Sequence, residues 1–96
     1  MASYKYEKIT VSSTAIGFTA ANIEAAIGLF GRDVREVLVT VETNPIRFTV
    51  DGTTPTSTVG HLLSAGDIYT CDGADALKFR AIRTGSDAAI HCTYKV

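Results

Sequence analysis

Short runs that alternate apolar and polar residues, broken by turn residues about every ten positions, constrain this chain more than any other feature. Val37, Val39 and Val41 alternate with Leu38, Thr40 and Glu42. Ile46, Phe48 and Val50 alternate with Arg47, Thr49 and Asp51. Leu77, Phe79 and Ala81 alternate with Lys78, Arg80 and Ile82. At the end of the chain Ile90, Cys92, Tyr94 and Val96 alternate with Ala89, His91, Thr93 and Lys95. Successive side chains of a strand point to opposite faces, so each run presents one apolar face to a core. The shared parity predicts a core of Val37, Val39, Val41, Ile46, Phe48, Val50, Leu77, Phe79, Ile90, Cys92 and Tyr94. Breaks fall where turn chemistry demands them. Pro45 removes a ladder donor, and Asp51 with Gly52, Gly66 with Asp67, Asp72 with Gly73, and Thr84 to Asp87 are turn sequences.

Two further segments complete the outline. From Ser3 to Ser13, Tyr4, Tyr6, Ile9 and Val11 are spaced by polar residues, but Glu7 and Lys8 together break the period. A bulge or two short strands would account for this. Residues 20–28 read as one or two helical turns or as an alanine-rich loop. Ile23 and Ile27 lie four apart, Thr19 stands at the N-cap position, and Gly28 and Gly31 would end a helix. Val59 to Leu63 is a short apolar piece. The 13 threonines add β-branched residues suited to pleated sheets. The expected fold is all-β: an antiparallel sandwich or small barrel of about seven short strands, with a short helical segment near residues 20–28. Residues 1–96 form a single domain, with residues 1–8 expected as an N-terminal arm. A folded chain of 10.2 kDa exposes roughly 5,300 Å², enough burial for one core without metals or staples.

Charge and patterning narrow the function classes. Nine Lys+Arg against ten Asp+Glu give a net charge of -1, without the basic excess of an electrostatic nucleic-acid binder. No apolar run reaches the ~18 residues that span a bilayer, so no membrane role is expected. Residues 1–8 carry no apolar stretch of the signal-peptide kind, which predicts a protein made and used without Sec export.

The residues also offer little catalytic chemistry. His61 and His91 lack the Cys, Asp or Glu spacing of a zinc site and read as structural or surface imidazoles. Cys92 shares a face with Ile90 and Tyr94, so Cys71 and Cys92 read first as buried thiols, with a disulfide as the lesser alternative. His91 and Cys92 are strand neighbours and point apart, so they make no nucleophile–base pair. The aspartates stand mostly beside glycine or serine, where their side chains bond local backbone. No cofactor, no metal and no enzymatic turnover are expected. The sharper candidates are interface residues. Arg47 and Arg80 project from strands and read either as solvated surface or as a subunit contact. Tyr4 and Tyr6 place aromatic area near the N-terminus, where contact with a neighbour would use it.

Several blocks in order resemble a family of small tailed-bacteriophage proteins: VTVETNPIRF over 39–48, DGTTPT over 51–56, VGHLL over 59–63, Gly66 with Asp67, FRAIRTGSDA over 79–88 and HCTY over 91–94. The resemblance runs from about Val11 to the C-terminus. It implies a virion structural component assembled in the bacterial cytoplasm, of the capsid decoration, neck or collar, or tail accessory type. Implied partners are the major capsid protein or neighbouring virion subunits. A homo-oligomer is expected, a trimer being one simple match to an icosahedral shell. A second class of function is display of a host-glycan site, for which Tyr4, Tyr6 and Tyr69 are the candidate aromatic platforms.

Overall fold

The alternating runs fold as strands. The computed structural model describes residues 1–96, except for the side chain of Phe30. Its elements are β1 (Ser3–Val11), α1 (Ala20–Phe30), β2 (Glu36–Glu42), β3 (Ile46–Thr49), β4 (His61–Leu63), β5 (Ile68–Asp72), a 3₁₀ turn over Gly73–Asp75, β6 (Arg80–Arg83) and β7 (Ala88–Lys95). One sheet has the order β1-β7-β2-β5 and the other β4-β3-β6, all antiparallel. The architecture is all-β and sandwich-like. The exposed surface is 5041 Å², close to the roughly 5,300 Å² expected for a folded chain of this mass.

The chain changes sheets at Thr43–Pro45. Thr43 has φ +83°, and the Asn44 N–H donates to Glu42 C=O at 3.1 Å, so the corner is a tight γ-turn with positive φ. The Asn44 side chain donates to Asp87 C=O at 2.8 Å, and the Thr84 hydroxyl donates to Pro45 C=O at 3.3 Å. These bonds tie the corner to the β6–β7 hairpin.

Aromatic rings bridge the two inner faces. Phe18 stacks on Phe79 with centroids 4.2 Å apart, and Phe79 stacks on Phe48 at 5.7 Å. Phe48 meets Tyr69 of the opposite sheet at 4.6 Å, and Phe18 meets Tyr94 edge-on at 6.0 Å. Val37, Val39, Val41, Ile46, Phe48, Phe79, Ile90, Cys92 and Tyr94 are buried as the alternation predicts.

Several expectations change. Leu77 is 53% exposed, because residues 73–79 wind through a 3₁₀ turn in which Asp75 C=O accepts from the N–H groups of Lys78 and Phe79. The period of two therefore fails until β6 begins at Arg80. Val50 is half-buried, because β3 ends at Thr49. Residues 1–8 are no free arm: β1 runs unbroken from Ser3 and pairs with β7 from Ser3↔Lys95 to Val11↔Ala88. The irregularity lies between Ser3 and Lys5, not at Glu7 and Lys8. Glu7 takes an inner position, opposite Cys92, without disturbing the period.

Glu7 is there because the helix needs it. Thr19 makes no side-chain cap of its own; instead its N–H and hydroxyl donate to the two Glu7 carboxylate oxygens at 3.2 and 2.7 Å. The buried Tyr94 hydroxyl also donates to Glu7. Burial opposes ionisation of Glu7, but the bonds from Tyr94, Thr19 and Asn22 outweigh it and hold the pKa below the ordinary carboxylate value. An anion beside the first turn also complements the helix dipole. At the other end Gly31 adopts φ +68°, and its N–H donates to Ile27 C=O, closing the helix as a left-handed cap. Between these stops α1 completes about three turns, more than the one or two expected.

Candidate interaction surface

The four candidate interface residues separate onto different surfaces. Tyr4 is half-buried and packs against the core. Tyr6 is 57% exposed on the outer face of the β1-β7-β2-β5 sheet. Arg47 and Arg80 share the outer face of the other sheet, because β6 sets Ile82 opposite Arg47 and Arg80 opposite Thr49. In a two-layer arrangement these outer faces look in opposite directions, so the tyrosines and arginines do not form one patch.

Both guanidinium groups engage their own chain. Arg47 lies between Leu62 of β4 and Ile82 of β6, and its Nη1 donates to Gly60 C=O at 3.1 Å. Its buried Nε has no hydrogen-bond partner. Arg80 Nη1 donates to Phe79 C=O at 2.8 Å and Leu77 C=O at 3.2 Å, satisfying carbonyls at the end of the 73–79 turn. It lies against Gly17, where an added Cβ would come within 2.6 Å of Nη1.

The outer face of the larger sheet holds an arrangement that alternation could not reveal. The Tyr6 hydroxyl lies 2.6 Å from His91 Nδ1, and His91 Nε2 lies 2.5 Å from the Glu42 carboxylate. A carboxylate only accepts, so Nε2 carries the proton of the His91–Glu42 contact, while Nδ1 pairs with the Tyr6 hydroxyl. The hydrogen bond from His91, then its charge and that of Lys8, lower the Glu42 pKa. The three residues come from β1, β7 and β2, and the diagonal contacts clasp the edge strand to the sheet centre. Strand parity sets His91 on the face opposite Cys92, and it stands on the outer face. Its partners were invisible because Tyr6 and Glu42 are distant in sequence.

Neither cysteine offers a reactive thiol. Cys71 pairs opposite Val37 on β2, while Cys92 pairs opposite Val39 on the other side of β2. Two strand spacings separate them, about 9–10 Å, beyond the reach of a disulfide. Both are free and buried. Burial pushes the Cys71 thiol up to about 11 and the Cys92 thiol up to about 12, so both stay protonated. Asp51 accepts from the Thr53 N–H at 3.0 Å and Asp67 from the Ser64 N–H at 2.8 Å, the local turn bonds expected of them. Among the described residues no group of three His, Cys, Asp or Glu gathers that could hold a metal ion.

Several exposed apolar side chains lie on and beside α1. Ile27 is 56% exposed and Leu29 69% exposed, and of the described side chains of the helix only Ala26 is buried. Beside the helix, Met1, Ile23, Val34 and Leu77 line an open groove of about 690 Å³, with Asp33 and Arg35 among its polar wall residues. This region combines solvent-facing apolar side chains with a concave neighbour, which is what protein–protein contacts use. Sequence reasoning marked the segment only as a short helix or loop. Compared with family models, curated proteins and solved structures, the chain matches none.

Proposed function

We propose that the chain is a structural component of a tailed-bacteriophage particle, a capsid decoration protein acting through protein–protein contacts and without catalytic turnover. The observation that carries this reading is the apolar surface that the fold leaves in solvent: Ile27 and Leu29 on α1, Leu77 beside it, and Leu62 and Ile68 on the sheets. The ordered sequence blocks that resemble small phage proteins support it. Its partner is the assembled major capsid lattice. A protein that binds the lattice but not free capsid subunits stabilises the lattice by mass action, with no chemical step. The glycan-display reading loses support, because Tyr69 packs at a tilt against Phe48, Tyr4 is packed on the core, and the Tyr6 hydroxyl is engaged by His91.

Cryo-electron microscopy of virions from the encoding phage tests the proposal. The expected result is density for this fold in fixed copy number on the head lattice. Density confined to the neck or tail would move the protein to an accessory role there. Virions that contain no peptide of this chain by mass spectrometry would overturn the proposal.

A further inference from the structure

The larger sheet ends in β5 on one side and in β1 on the other, and its hydrogen-bond parity fixes which residues line those edges. The Gly73 N–H donates to Arg35 C=O at 2.8 Å, and the Val41 N–H donates to Asp67 C=O at 3.1 Å. With Val37 opposite Cys71 and Val39 opposite Tyr69, the odd-numbered residues of β5 bond β2. The N–H and C=O groups of Ile68, Thr70 and Asp72 therefore point out of the sheet. At the other edge Ala2 and Val96 exchange both backbone bonds, so the even-numbered residues of β7 bond β1. Their partners are Lys5, Glu7, Ile9 and Val11, which turns the N–H and C=O groups of Tyr6, Lys8 and Thr10 outward. The next outward carbonyl, Ser12 C=O, accepts from the Arg83 N–H at 3.1 Å, where β6 takes over the edge. Among the described residues no other backbone group bonds these two open rows, and Asp72 C=O meets only Cys71 Sγ, at 3.5 Å. Such rows are templates for a further strand.

Direction, face and charge fit the two edges to each other. In the order β1-β7-β2-β5 every neighbour is antiparallel, so β1 and β5 run in opposite directions. A second copy set beside the first in the same orientation brings its β1 antiparallel to β5. Tyr6, Lys8 and Thr10 point to the outer face, away from the buried Ile9 and Val11, and Ile68, Thr70 and Asp72 point away from the buried Cys71. Opposed residues share a face, so the pairing keeps the outer faces of both copies on one side. Charge selects the partner. Lys8 and Lys95 stand on the outer face of β1 and β7, and Glu36, Glu42 and Asp72 on that of β2 and β5. Lys8 acts on Glu42 through its charge alone, and among the described residues neither Lys8 nor Asp72 forms an ion pair. A β1 edge laid on another β1 would set lysine against lysine, and β5 on β5 would join two acidic edges. A β1 edge on a β5 edge joins opposite charges.

We propose that β1 of one copy adds antiparallel to β5 of the next, with Tyr6, Lys8 and Thr10 opposite Asp72, Thr70 and Ile68 of its neighbour, so that the sheet continues from copy to copy. This register uses every open residue of both rows. Lys8 lies diagonally beside the neighbour's Asp72, about 7–8 Å away along the backbone and within reach of a long side chain. The Tyr6–His91–Glu42 contacts already hold β1 to the sheet centre, so the edge is ordered before a neighbour arrives. The contact is head to tail, and assembly therefore closes as a ring or continues as a filament. This goes beyond the virion reading and needs no particle. Decoration of a lattice and edge pairing in solution stand or fall separately.

Sedimentation velocity of the purified chain over a wide concentration range tests the pairing. The unaltered chain is expected to form species larger than a dimer as concentration rises. Lys8→Pro removes an outward donor of β1 without touching its bonds to β7, and Thr70→Pro does the same on β5. Each variant alone should stay monomeric, with circular dichroism and a cooperative melt like those of the unaltered chain. Mixed in equal amounts, the two should form a dimer and nothing larger, since one supplies the only intact β1 edge and the other the only intact β5 edge. An unaltered chain that stays monomeric or stops at a dimer overturns the proposal. So does a proline variant that assembles alone, or a mixture that stays monomeric. Should a proline variant fail to fold, Lys8→Asp and Asp72→Lys decide: each alone should weaken assembly roughly tenfold or more, and mixing the two should restore it by placing opposite charges at every contact. Unweakened single variants, or a mixture without recovery, overturn the proposal.

Discussion

Strand β7 and helix α1 handle apolar residues in opposite ways. In β7 every second residue is buried: Ala88, Ile90, Cys92 and Tyr94, followed by Val96. It lies between β1 and β2 with one face on the aromatic bridge. Helix α1 is at least as apolar, but among its described side chains only Ala26 is enclosed. It is held at its start by the Glu7 carboxylate, and Ala26 and Ile23 pack against the core. The difference teaches that burial here follows from neighbours on several sides rather than from hydrophobicity. The sandwich carries the stability of the domain, and the helix carries apolar surface that contributes little within one chain.

The largest test of that division is Phe79→Ala. Phe79 is fully buried between Phe18 and Phe48, so its loss should cost about 3–5 kcal/mol in a denaturant melt, a large share of the stability of a domain this size. A near-neutral result would move the stabilising core away from the aromatic bridge.

Glu7→Ala probes the seam between the two regions. It strips the buried Tyr94 hydroxyl of its acceptor, which should cost about 1–3 kcal/mol, and leaves the helix start uncapped. The same residue sets a pH dependence. Its folded pKa is lowered, so its contribution is complete above the ordinary carboxylate value of 4.5 and disappears as the pH falls through the lower folded value. Glu7→Gln should flatten the acid limb of a stability–pH profile in that window. An unchanged acid limb would mean that other carboxylates govern acid unfolding.

On the helix the effects should be smaller and partly of opposite sign. Gly28→Ala in the isolated monomer should raise stability by about 0.5–1 kcal/mol, since the new methyl meets nothing and helix propensity improves. Smallest of all, Leu77→Ala should stay within about 0.5 kcal/mol in the same melt, as expected for an exposed side chain. A cost near that of Phe79→Ala would return Leu77 to the core that alternation first assigned it.

Period-two alternation was enough by itself to specify strands and most of their inner residues, because side-chain parity is a local property of extended backbone. Val37, Val39, Val41, Ile90, Cys92 and Tyr94 could be assigned before any strand had a partner, and turn chemistry marked Asp51 and Asp67 correctly. Parity fails where the chain stops being extended, and only the tertiary structure reveals where that happens. The 73–79 turn puts Leu77 into solvent although its spacing from Phe79 is that of a strand. Partnership across the fold is equally hidden. Glu7 is polar and still points inward, since a helix start and a tyrosine hydroxyl more than ten positions away receive it. Residues 1–8 look like an arm until β7, at the far end of the chain, supplies an edge. Arg47 and Arg80 could be placed on one sheet face by parity, but the carbonyls that hold their guanidinium groups are fixed by loops folding back upon them. The apolar surface of α1 is the clearest case: its composition was plain to read, whereas its exposure depends on which other elements pack against it, a long-range outcome that no local pattern encodes.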